Sequence, residues 1–250
     1  MRVRPTERQQ PASTALVIFA KAPIPGQVKT RLCPALTEDE AATLHGSFVL
    51  DTLERTKAAM GKFKLQIDRY LACAPSSSHA FFRIMEARHG VTLLDQEGED
   101  LGARMQQAFD TLFARGYRHV CVVGTDVPSL PLTHYRDAVA SLTRHDLVLG
   151  PAQDGGYYLI GMTRPHPHLF RDMPWSTDQV LALTQQKATA EGLNIAKLPA
   201  WSDVDTIDDL QQMIEDCAAD KTRPKQDRVY SMRTTGALEL LAKRLRTRQT

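Results

Sequence analysis

The chain has 250 residues, of which 42% are hydrophobic and 24% charged, and its formal net charge is +2. That length exceeds a small stapled module and falls short of two full catalytic domains, so one domain of α/β-enzyme size is expected. The near-neutral total excludes a strongly basic nucleic-acid coat and a halophile-like acidic surface.

The charge is unevenly spread. Residues 221–250 hold nine Lys or Arg against two acids and residues 1–14 three against one, which leaves −7 for residues 15–220. Residues 1–14, polar with two prolines, read as a disordered leader, and residues 15–220 as the folded body. Residues 221–250 read as a basic tail with room for a helix at 236–248. Contact of that tail with nucleic acid is less favoured than a solvated segment.

In chain order, A-L-V-I-F-A at 15–20 is a buried strand; six residues fall far short of a membrane span. A soluble, cytoplasmic protein is expected. Thr37 and Glu40 form a capping box that opens a helix to about residue 60. A strand at 65–73, a helix to 89 and a short strand at 91–94 follow. Next come a helix at 101–115, the clearest central strand at 119–124, and a helix at 131–143. Strands at 146–150 and 157–162 precede a helix at 176–191, for which Ser176 and Gln179 offer a second capping box. A strand at 193–198 and a helix at 206–219, with Thr206 at its N-cap, close the body. This alternation means a mostly parallel sheet with helices on both faces, and ligands bind beyond the carboxyl ends of its strands.

The four cysteines form no C-x-x-C pair, so neither a disulfide framework nor a zinc site is expected. His166 and His168 bracket Pro167, a spacing read as an exposed loop.

Chemistry-bearing residues gather on the loops. K-A-P-I-P-G-Q-V-K-T-R at 21–31 is neither G-x-G-x-x-G nor a Walker A, which removes support for hydride transfer and for a P-loop NTPase. Its prolines stiffen a turn at Gly26, and Lys21, Lys29 and Arg31 suit a di- or triphosphate; solvated charges on a Pro-Gly turn are the bland alternative. Asp126 ends the central strand, placed either to hold a hard cation or to cap the turn at Pro128. Asp203 and Asp205 alternate about Val204, a candidate second metal carboxylate. Asp154-Gly155-Gly156 is either a turn or a sugar-binding backbone with Asp154 on hydroxyls. Gln96 can read a base edge, Arg104 can face phosphate, and Trp175 can staple the next helix or stack on a sugar.

Six motifs in order carry a resemblance: K-A-P-x-P-G-x-x-K-T-R-L at 21–32, G-x-D-L-G-A-R-M at 98–105, G-T-D-x-P-x-L at 124–130, G-P-x-x-D-G-G-Y-Y-L-I-G at 150–161, W-S-T at 175–177 and D-V-D-T at 203–206. Together they resemble a bacterial glycosyltransferase-like family, whose members are named as radical-SAM-associated transferases or carry an arsenosugar-biosynthesis glycosyltransferase label. The resemblance implies a single GT-A, nucleotide-diphospho-sugar transferase domain of Rossmann-like type. It implies Asp126 and Asp205 as ligands of Mg²⁺ or Mn²⁺ and the 21–31 loop around the nucleotide phosphates; Asp126, Lys29 and Arg31 are expected as the catalytic set. Lys21, Ala22, Pro23, Gly26, Lys29, Arg31, Gln96, Gly102 and Arg104 are expected at the nucleotide; Asp154, Gly155, Gly156 and Trp175 at the substrate. Pro128 departs from the Asp-x-Asp of many such glycosyltransferases and looks more like nucleotidylyltransferases. Glycosyl transfer from a sugar nucleotide to a small-molecule acceptor is the leading expectation. Nucleotidylyl transfer with pyrophosphate release is the alternative, and a non-catalytic nucleotide-binding scaffold the reading of another class. Oligomeric state has no signal in the sequence.

Overall fold

Strands and helices alternate through residues 12–247, the part of the chain that the computed structural model describes. The first half runs β1 (Thr14–Lys21), α1 (Glu38–Phe63), β2 (Ile67–Ala74), α2 (Ala80–His89), β3 (Thr92–Asp95), α3 (Leu101–Ala114) and β4 (His119–Gly124). The second runs α4 (Leu132–Ser141), β5 (Leu147–Pro151), β6 (Tyr157–Met162), α5 (Val180–Ala190), β7 (Ile195–Lys197), α6 (Ile207–Asp220) and α7 (Met232–Thr247). One sheet orders the strands β3-β2-β1-β4-β6-β5-β7, parallel except for β6. This is the mostly parallel α/β architecture that the alternation predicts.

Strand periodicity divides the core. Leu16, Ile18 and Ala20 of β1 face one layer with Leu53 of α1, Phe82 of α2 and Tyr135 of α4. Ala15 and Val17 face the other, with Met105, Phe109 and Leu112 of α3 and Ala188 of α5. A strand buried on both faces reads as a continuous apolar run, which is what residues 15–20 show. Cys73 and Cys121 are buried in the first layer as small hydrophobes.

Strand order reverses between β1 and β4, and a crevice opens there at the carboxyl edge. β4 and β5 both run antiparallel to β6, so the turn after β5 lies on that same edge. The end of β6 lies on the opposite edge.

Helix starts follow local chemistry where nothing competes. Thr37 accepts from the Glu40 amide while the Glu40 carboxylate accepts from the Thr37 amide, and Thr206 and Asp209 do the same before α6. The second expected box, Ser176 with Gln179, does not form. α5 begins only at Val180, and Ser176 sits at φ +66°. Tertiary contact wins there: residues 176–178 lie over Gly155, where a Cβ would meet the Asp178 carbonyl oxygen at 2.3 Å, and the Leu181 amide donates to the Gly155 carbonyl at 2.9 Å.

Residues 221–247, expected as a basic appendage, carry α7, which packs on the body. Leu238 and Leu241 are buried with Leu44 and Phe48 of α1, Leu210 and Met213 of α6, and Leu32 of the loop after β1. Arg233 pairs with Asp51 at 2.9 Å and Glu54 at 2.8 Å, and the Thr234 hydroxyl donates to buried Asp51 at 2.5 Å. The charge count conceals this helix: its cations are exposed, with Arg233 and Arg244 reaching acids of α1, while leucines at 238, 241 and 245 share one face. Of the expected leader, residues 1–11 lie outside the described residues, as do 248–250; Thr14 already pairs in β1. No helix among the described residues is long and apolar enough to cross a membrane.

Candidate functional site

The carboxyl edge of the sheet opens into a cleft of about 740 Å³. Its walls come from the end of β1 and residues 27–31, the end of β4 through Val127, the turn after β5, residues 175–177 and the segment before α6.

Lys29 lies at its centre. The residue takes a left-handed conformation, φ 50° and ψ 35°, as the chain turns into the short 3-10 helix Thr30–Leu32. Such a conformation costs a side-chain-bearing residue energy and persists where the surroundings impose it. Val28 and Leu32, both buried, supply that constraint on either side. The ammonium lies 2.5 Å from Asp126 Oδ1 and donates to Asp205 Oδ1 and the Val204 carbonyl, each at 2.7 Å. Two of its protons thus go to hydrogen bonds and the Asp126 carboxylate completes the ion pair. Burial pulls the Lys29 pKa down, but Asp126 and Asp205 outweigh it and hold the group above its usual range. The side chain is 4% exposed, against 43% for Asp126 and 36% for Asp205.

Backbone geometry brings the two acids together: the Val204 amide donates to the Asp126 carbonyl at 3.0 Å, clamping residues 203–205 beside β4. Burial pushes the Asp126 pKa up, yet Lys29, joined by His45 when that ring is protonated, more than offsets it and keeps the carboxyl below the usual range. His45 of α1 is buried with Nε2 3.1 Å from the Lys21 carbonyl. A carbonyl only accepts, so Nε2 carries the proton and Nδ1 presents its lone pair 3.9 Å from Asp126 Oδ1.

Asp154, Asp203 and Asp205 form an acid cluster at the cleft, with one oxygen of each within 4.8 Å of the others. Three carboxylates so close are the oxygen-donor set of a hard divalent cation, and the residues fit Mg²⁺ or Mn²⁺. Burial, then Asp154 and Asp205, push the Asp203 pKa up to about 7. The folded protein therefore keeps a proton that the unfolded chain has lost above its value of 3.8. In chelator, stability is expected to fall as pH rises from about 4 to 7, by about 1–2 kcal/mol after solvent screening. Urea unfolding across that range should show the decline, and Asp203→Asn or saturating Mg²⁺ should flatten it.

The structure brings most of the expected residues together and redistributes their tasks. Lys21 and Arg31 are exposed at the cleft, with no ion-pair partner among the described residues. Lys29, expected on phosphate, is spent on Asp126 and Asp205 instead. The expected metal pair Asp126 and Asp205 is bridged by that lysine, while Asp205 also belongs to the acid cluster. Gln96 lines the cleft, but its amide donates to the Ala20 carbonyl at 3.1 Å and the Ala72 carbonyl at 2.8 Å, tying β1 to β2. Arg104 lines the cleft and donates to the Gly98 carbonyl at 3.0 Å. Ala22 is buried in the core, Pro23 packs toward Gly46, and Gly26, at φ +76°, lies against the Glu38 carboxylate; none of the three lines the cleft. Asp154 joins the metal-type cluster and its Oδ1 accepts from the Gly156 amide at 2.8 Å, the turn chemistry foreseen as its alternative.

Gly102 acts through Trp175. A Cβ there would lie 2.6 Å from the Trp175 ring and 2.9 Å from the Phe170 carbonyl oxygen. Gly102→Ala is expected to displace the indole, lowering stability by about 1–3 kcal/mol and kcat/KM by about ten- to a hundredfold. Tryptophan fluorescence and steady-state kinetics check both. His45 is the residue that sequence reasoning missed; one histidine inside a long helix carries no spacing signal.

The fold is an α/β fold of the nucleotide-transferase type. The chain belongs to the family described as "Uncharacterized protein conserved in bacteria (DUF2064)", whose family model matches residues 58–177. It is 30% identical to a candidate nucleotide-diphospho-sugar transferase from Desulfovibrio desulfuricans G20, with a TM-score of 0.81 over 94% of this chain and 98% of that one. It is 25% identical to 2-phospho-L-lactate guanylyltransferase of Methanothermobacter thermautotrophicus, over 74% of this chain and 78% of that protein. A cytidylyltransferase from Leptospira borgpetersenii shares the fold, with a TM-score of 0.52 at 14% identity over 93% of this chain and 94% of that one. These relatives are transferases, and at that coarse level the chain sits with them.

Proposed function

We propose that the chain transfers a nucleotidyl group from a nucleoside triphosphate to a phosphorylated small molecule. The observation that carries this reading is Lys29, buried between Asp126 and Asp205 on the floor of a cleft bearing a three-acid cluster. Lys21, Arg31 and Arg104 bind the triphosphate, since cations on a stiff loop suit a chain of phosphates. Lys29 fixes the orientation of Asp126 and Asp205 rather than holding phosphate itself. Asp203 and Asp205, with Asp154 or Asp126, would hold Mg²⁺ or Mn²⁺, which neutralises phosphate oxygens and the charge building on the leaving group. An oxygen of the acceptor phosphate attacks the α-phosphorus, and the bond to the β-phosphate oxygen breaks to release pyrophosphate.

Two features favour this over the glycosyl transfer that leads from sequence alone: Pro128 in place of a second aspartate, and the likeness to a guanylyltransferase. Glycosyl transfer stays as the second reading because of the 30% identical candidate sugar transferase. There the nucleoside diphosphate leaves, and Asp154 orients the acceptor hydroxyl. Incubation with Mg²⁺, each nucleoside triphosphate and a set of phosphorylated 2-hydroxy acids tests the proposal. Pyrophosphate release supports it. Nucleoside diphosphate release from sugar nucleotides, without pyrophosphate release, would move the assignment to glycosyl transfer. Binding without either product would make the chain a scaffold.

A further inference from the structure

The opposite edge of the sheet holds a second constellation. His166 and His168 sit at the start and within the short 3-10 helix Pro167–Leu169 that follows β6, and Glu191 caps the carboxyl end of α5. His168 Nδ1 is 2.7 Å from one Glu191 oxygen, and His166 Nδ1 is 3.7 Å from the other. One ligand atom from each of the three side chains lies within 4.8 Å of the others. The imidazole rings stand at 89° with centroids 5.7 Å apart, so they converge on the carboxylate without stacking.

We propose that His166, His168 and Glu191 bind a divalent transition ion of the zinc class, at a site separate from the cleft. Two imidazole nitrogens and one carboxylate oxygen form a three-ligand set, with water as the fourth partner. Tetrahedral bonds of about 2.0–2.1 Å place ligand atoms roughly 3.3–3.4 Å apart. The observed 2.7 and 3.7 Å run to the two different Glu191 oxygens and the three ligand atoms lie within 4.8 Å of one another, so side-chain rotation alone can bring them to that spacing. The ligands also stand on a packed base. His166 is 6% exposed, Leu169 is fully buried, and Phe170 stacks on Phe109 of α3 with centroids 5.8 Å apart. Arg164 Nε lies 3.5 Å from His166 Nε2. With the ion on Nδ1, Nε2 carries the proton and that long contact opens.

An ion here staples the β6–α5 connection to the far end of α5. The same connection delivers Trp175 and Thr177 to the cleft, so its anchoring bears on the shape of the active edge. A His-x-His pair alone gives no hint of this, because the third ligand arrives 23 positions after His168 from another element.

Zinc uptake by the full chain, stripped with chelator and titrated in competition with a chromophoric chelator, tests the site. The wild type should bind one zinc more than His166→Ala/His168→Ala, and Co²⁺ should give visible absorption that the double variant lacks. Equal uptake and equal spectra would overturn the proposal. Should the double variant fail to fold, Glu191→Gln, altered at a half-exposed carboxylate, decides. Zinc affinity should fall by about tenfold or more, and unchanged affinity would overturn the site. The acid cluster of the cleft is intact in every variant, so zinc bound there cancels in the comparison.

Discussion

Asp126→Asn is expected to leave the fold intact and to lower kcat by about a thousandfold or more. The change is isosteric, and the backbone clamp on residues 203–205 uses the Asp126 carbonyl, which the substitution does not touch. What disappears is charge. Lys29 keeps this carboxyl ionised against the pull of burial, so at neutral pH it supplies a fixed negative charge at the switch point of the sheet. A neutral amide cannot balance the Lys29 ammonium or offer a charged oxygen to a divalent cation. Circular dichroism should match the wild type, melting should fall only modestly because Asp205 and the Val204 carbonyl still accept from Lys29, and the main loss should appear in kcat. Turnover within tenfold of wild type would remove Asp126 from the chemistry.

Lys29→Met is expected to damage both fold and activity. Removing the ammonium leaves Asp126, Asp205 and the Val204 carbonyl without their shared donor and sets two carboxylates against each other. Breaking an enclosed pair by deleting one partner costs about 3–5 kcal/mol. Because Asp126 and Asp205 retain 43% and 36% exposure, about 2–4 kcal/mol is expected here. Arg31→Ala supplies the contrast, since its exposed cation should affect nucleotide KM with little change in melting temperature. Denaturant titration and kinetics on both variants separate the two roles. Equal stability in Lys29→Met and wild type would contradict the bridging role.

Signals confined to one element are legible in the sequence. The apolar run at 15–20, the capping boxes of Thr37 and Thr206 and the placement of Asp126 at a strand end all arise from local periodicity and side-chain chemistry. The six motifs likewise identify which loops meet at the cleft. Partner choice among those loops is not legible. Lys29 meets Asp126 and Asp205 across 97 and 176 positions, and the lysine reads as a phosphate ligand until both acids stand beside it. His45 acquires its place only when α1 packs beneath the Lys21 carbonyl. Ser176 shows local propensity losing to a tertiary crossing over Gly155. α7 was obscured by composition, since nine cations dominate a stretch whose leucines fill a third core cluster.

Calorimetric titration of nucleoside triphosphates, with Mg²⁺ and then with chelator, tests the central claim most directly. The cleft should bind one nucleotide in Mg²⁺, lose at least about tenfold in affinity in chelator, and lose the same metal dependence in Asp203→Asn/Asp205→Asn. Nucleotide affinity that is indifferent both to Mg²⁺ and to the loss of those two acids would contradict it.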